Sequence, residues 1–151
     1  MNKTYKFIVV LIIAFAVFGI RKYIIKNNPT FGMTTQEKIY HYFNIKISDD
    51  NCVEKEYISP GLVAYKIDIS SFNNVDVDSF TKGYQEYTVK SYDLYKCNLN
   101  VDWWDISKNA VNKAFVKFDS PKRDIGAKTA EFKLFFVKEN DKTFLYMLYL
   151  D

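Results

Sequence analysis

Arginine, histidine, cysteine, proline and glycine are all scarce in this 151-residue chain, and each shortage removes a class of chemistry. Arg21 and Arg123 are its two arginines, so the bidentate forks that grip phosphates are nearly missing. The first 26 residues carry Lys3, Lys6, Arg21, Lys22 and Lys26 without an acid, leaving 16 basic against 18 acidic groups in the remainder. A slightly acidic body with no basic face excludes nucleic acid as an expected partner. His41, Cys52 and Cys97 share none of the short spacings that gather zinc ligands, so neither a metal nor a cofactor is expected. The five glycines form no phosphate-cradling loop, and GxSxG, HExxH and GxxxxGK[ST] are absent. The expectation is a protein that is not an enzyme.

What the chain does have is an apolar front end. Phe7 to Ile20, FIVVLIIAFAVFGI, runs fourteen residues without a charge between basic flanks. Tyr5 and Tyr23 stand eighteen positions apart. At about 1.5 Å per helical residue that spacing puts a phenol near each boundary of a roughly 30 Å hydrocarbon core. A cleaved signal peptide is the competing reading, but Ala14-Phe15-Ala16 lies inside the apolar core, and cutting after Gly19 leaves Arg21 and Lys22 at the new terminus. The chain therefore divides into a cytoplasmic tail (1–6), a single transmembrane signal-anchor (7–25), a tether (26–33) and an extracytoplasmic domain (34–151). The flanking charges do not decide orientation. Cys52 and Cys97 do so in this reading: an even pair in a small anchored domain suits a disulfide in an oxidising compartment, the periplasm or cell exterior beyond the inner membrane.

For the domain the pattern predicts an α+β fold, an antiparallel sheet of four or five strands with one or two helices on one face. Thr34 and Glu37 have capping-box spacing ahead of a helix of about ten residues presenting Gln36, Ile39, Tyr40 and Phe43, with His41 turned to solvent. Asp49 to Pro60 reads as loop, and Leu62 to Ile69 is the clearest strand, with Val63, Tyr65, Ile67 and Ile69 on one face. A second helix is expected from Asp76 to about Lys90, and strands over 110–118, 130–138 and 143–150. The last two are joined by a short polar hairpin connection and are apolar on both faces, which predicts a central place in the sheet.

Candidate sites are few. Asn74, Asp76 and Asp78 imitate the start of a calcium loop, but Ser79 and Gln85 stand where glycine and glutamate are needed. Lys122 and Arg123, in a loop over 119–128, suit a solvated turn or a phosphate or lipid-headgroup contact. Trp103 and Trp104, bracketed by Asp102 and Asp105, form the predicted partner-binding feature: one indole enters the core and the other anchors a second protein. The organisation is similar in outline to small bacterial immunity proteins that guard the envelope against bacteriocins, a likeness of architecture that carries no residue with it. It implies a membrane-tethered protein that binds another protein outside the cytoplasm, a toxin being one concrete partner. The rival expectation is a small-ligand carrier or accessory subunit of an envelope complex, its walls drawn from the thirteen Phe and twelve Tyr.

Overall fold

A computed structural model of the chain describes residues 3–47, 52–72, 74–89, 99, 101–104, 106, 111–121 and 129–151. It forms two units, residues 1–34 and 35–151.

The first unit is built on α1 (Lys3–Asn27), whose stretch Phe7–Lys26 is long and apolar enough to cross a membrane. No stripe is set aside for a core. Phe7, Phe15 and Phe18 are 66, 70 and 67% exposed, and the apolar residues between them are exposed on every side of the helix. Pro29 stands two residues past its end, where a helix cannot continue.

The second unit contains α2 (Thr35–Phe43), β1 (Val53–Ser59), β2 (Leu62–Asp68), α3 (Asn74–Thr81), β3 (Gln85–Glu86), β4 (Val111–Asp119), β5 (Ala130–Glu139) and β6 (Lys142–Leu150). The strands make one antiparallel sheet in the order β1-β2-β6-β5-β4-β3. The α+β class is as expected, and the sheet has six strands instead of four or five. β1 is the larger addition, lying where a loop is read from the sequence. Its Glu54-Lys55-Glu56 run is exposed because β1 is an edge strand, and a charged edge lacks the apolar alternation by which a strand is recognised. β3 is too short to leave a periodic signal.

Helix α3 is also shorter than predicted. It stops at Thr81, and Gly83, with φ of 84°, turns the chain into β3, so the three- and four-residue recurrence through Tyr84 and Tyr87 does not continue the helix. On α2 the buried residues are Ile39, Tyr42 and Phe43, while Tyr40 is 48% exposed. His41, expected in solvent, is half-buried and meets the Tyr42 ring edge-on at 5.0 Å.

Both faces of the central strands are covered. On one, Val63, Tyr65 and Ile67 of β2, Phe132, Leu134 and Phe136 of β5, and Leu145, Met147 and Tyr149 of β6 pack with Ile39, Tyr42 and Phe43 of α2 and Phe80 of α3. Thr35 and Lys38 of α2 also bind Glu56 of β1, Lys38 at 2.9 Å. On the other face Ala64, Phe135, Val137, Phe144, Tyr146 and Leu148 pack with Val89, Leu99 and Trp104 from the connection between β3 and β4. The two-sided apolar character of β5 and β6 thus has its cause in their central positions.

Candidate functional site

The second face supplies the site. Strand register places Ala114, Phe135, Tyr146, Lys66 and Lys55 in one row running from β4 to β1. Lys66 is drawn into this row by aromatic faces and an acid together. Its ammonium lies 4.2 Å from the Phe144 centroid and 5.2 Å from that of Tyr146, and donates to Glu139 at 2.6 Å. The Tyr146 hydroxyl donates to the same carboxylate, so Glu139 holds two strands' polar groups together. Lys133 is 6% exposed on this face and pairs with Glu131 at 3.1 Å.

Over the aromatic half of the row lies Trp104. It is 5% exposed, with its ring 5.3 Å from Tyr146 and 6.5 Å from Phe135, both edge-on. A turn presents it: the Val101 N–H donates to the Leu99 carbonyl at 2.8 Å, and the Trp104 N–H donates to the Val101 carbonyl at 3.1 Å. Asp102 and Trp103 are therefore the two central residues of a four-residue turn, held outward as its last residue returns to the sheet. Asp102 is exposed and Trp103 half-buried, its indole resting on Trp104 at 5.6 Å and 75°. The dipeptide divides between core and surface by turn geometry and not by the alternation of a strand.

Trp103, Asp102, Val101 and Lys55 line an open depression of about 510 Å³. It combines an indole, the Val101 side chain and one charge of each sign, an arrangement suited to anchoring a side chain of another molecule. Lys55 is the member that sequence reasoning missed. Its signal lay in Pro60-Gly61, a turn dipeptide directly before the clearest strand, which implies a partner strand upstream.

The other predicted residues are distributed differently. Asp105 lies outside the described residues, as do Cys97, Lys122 and Arg123. Cys52 is half-buried just before β1, and its expected bond to Cys97 thus has one end outside the described residues. Among the described residues no three His, Cys, Asp or Glu side chains gather as metal ligands.

A second cavity, of about 330 Å³, opens between the ends of α2 and α3 and strand β4. Phe43, Ile45, Phe80 and Tyr84 line it together with Lys82 and Lys117. Burial, with the charge of Asp119 added, raises the Tyr84 phenol well above its ordinary value, so it stays protonated and donates to the Phe43 carbonyl at 3.5 Å. Lys117 is turned toward Asp119 at 2.9 Å.

No protein-family profile, curated protein or solved structure matches this chain.

Proposed function

We propose that the protein is a membrane-anchored, non-enzymatic binding module, with α1 as an uncleaved anchor and residues 35–151 as a domain outside the cytoplasm that docks another protein. Neutralising a toxin at the envelope is one concrete version. The observation that carries this reading is the outward indole of Trp103, braced on the buried Trp104 beside Asp102 and Lys55. A large ring held rigid by packing loses little entropy on binding, which is what makes tryptophan an effective interface anchor. Confinement to a membrane would raise the effective concentration of the module where an incoming partner arrives. The test is crosslinking and pull-down from membranes of the native host. The wild-type chain should recover a protein partner, and Trp103→Ala should lose it with the far-ultraviolet spectrum unchanged. Equal recovery by the variant would sink the reading. Alkaline phosphatase fused after Asp151 should be active, as it is outside the cytoplasm; an inactive fusion reverses the orientation.

A second reading, a carrier of a small anionic ligand, is favoured by the cavity between α2, α3 and β4, whose aromatic floor and two lysines lie at the small end of ligand-pocket volumes. Co-purification of a small molecule that Lys82→Ala releases, with no protein partner recovered, would put it first.

A further inference from the structure

The segment between α1 and α2, which the sequence presents as a polar tether, is closed on itself by hydrogen bonds. The Asn28 N–H donates to the Ile24 carbonyl at 2.8 Å, joining the segment to the last turn of α1. The Phe31 N–H donates to the Asn28 carbonyl at 3.0 Å and the Met33 N–H to the Thr30 carbonyl at 3.1 Å, giving two overlapping four-residue turns. Thr30 Oγ1 adds a bond to Asn28 Oδ1 at 3.0 Å, and Gly32 supplies the left-handed φ of 81° that the second turn needs. The ends of each such turn lie within about 7 Å of one another. Phe31 is therefore held within about that distance of Asn28, the residue that follows α1, and is 58% exposed.

That distance matches a physical layer. Between a hydrocarbon core of roughly 30 Å and a bilayer of roughly 40 to 45 Å lie about 5 to 8 Å of headgroup region on each side. A chain that leaves the core near Lys26 and closes two turns over 28–33 keeps Phe31 within about 10 Å of that exit, at or near the headgroup layer. Tyr23, 71% exposed on the last turns of α1, presents a second ring at the same end, with Arg21, Lys22 and Lys26 about it. Aromatic rings and cations together are what the acyl-headgroup boundary accepts.

We propose that the Asn28–Met33 turn is an interfacial anchor whose Phe31 ring inserts at the acyl-headgroup boundary of a phospholipid bilayer, beside the point where α1 leaves it. The inference rests on the reading of α1 as a span. Its effect is to fix the depth and roll of the helix, because a second apolar group set off the helix axis resists both sliding and rotation.

The test incorporates the photocrosslinker p-benzoylphenylalanine in place of Phe31 and, separately, of Phe18 in the middle of α1. Both side chains are exposed, so neither replacement disturbs packing. The full-length protein is reconstituted in vesicles of phosphatidylcholine and phosphatidylglycerol, irradiated, and read by mass spectrometry for phospholipid adducts. Adducts from both positions, of the same order of yield, are expected. Adducts from position 18 with none from position 31, or with position 31 joined to protein instead, overturn the interfacial anchor and leave the span standing. Adducts from neither position overturn the span and the anchor together.

Discussion

At Asp68 a carboxylate is held charged by its neighbours: Lys142 Nζ at 2.6 Å, then the Ser70 side chain, then the Ser70 N–H at 3.0 Å keep its pKa at about 2 instead of the ordinary 3.8. A carboxyl whose pKa falls on folding adds stability that is complete above its unfolded pKa and is lost as pH drops through the folded one. The window is therefore about pH 4 to 2. With side chains 22 and 57% exposed, the Asp68 and Lys142 pair is screened by solvent and its contribution is small. Lys142, whose pKa the same bond raises, keeps its share below 10.5 and loses it only in stronger alkali. Asp68→Asn should flatten the fall in urea midpoint between pH 4 and 2, followed by circular dichroism; a slope equal to wild type would discount the pair. The tryptophans separate by burial. Trp104→Ala removes a 5% exposed ring from between Phe135, Tyr146 and Trp103 and should destabilise by about 3 to 5 kcal/mol, whereas Trp103→Ala should cost about 1 kcal/mol in equilibrium unfolding.

Among the elements, the hairpins have the most directly testable chemistry. Ser59 pairs with Leu62 across Pro60-Gly61, with Gly61 at φ of 75°, and Glu139 pairs with Lys142 across Asn140-Asp141, with Asn140 at φ of 54°. The first has proline at the second turn position and glycine at the third, the residues a type II turn asks for. The second uses asparagine, which tolerates left-handed backbone better than other residues with a side chain. Asn140→Gly should be neutral or slightly stabilising, and Asn140→Val should lower stability by about 1 to 2 kcal/mol, read from thermal midpoints. The hairpin over 139–142 and the strands around it were legible because turn chemistry and apolar runs are local. Edge strand β1 was not: its Glu-Lys-Glu run looks like loop until pairing with β2 identifies it, although Pro60-Gly61 pointed to a strand on either side. The sequence overstates α3 because Phe80, Tyr84 and Tyr87 keep helical spacing although only Phe80 lies in the helix and the two tyrosines flank β3.

On the scale of the whole molecule, the division at Thr34 makes a prediction of its own. A chain beginning at Thr35 retains the six-stranded sheet and both apolar clusters, and should fold cooperatively in detergent-free buffer. The full chain, with the exposed apolar helix, should need detergent or lipid to stay dispersed. Sedimentation and near-ultraviolet circular dichroism of the two forms check this; loss of fixed aromatic signals on truncation would show that the sheet depends on the front end. The candidate site belongs to the same scale. Trp103 and Asp102 were visible as an unusual dipeptide and its neighbour, but Lys55 joins them from nearly fifty residues away, through the register of β1 against β2.

The amino-acid order by itself determined the features whose cause is short-ranged: an apolar helix with basic flanks, the alternation of β2, the two-sided strands β5 and β6, and the turn between them. The tertiary structure alone decided that β6 lies between β2 and β5, that β1 forms the outer edge, and that the connection after β3 closes the second face with Trp104. The physical reason is the range of the interactions. Turn geometry and residue spacing act over a few positions, whereas a strand's neighbours and the ring that covers them are chosen by burying apolar surface between segments far apart in the chain.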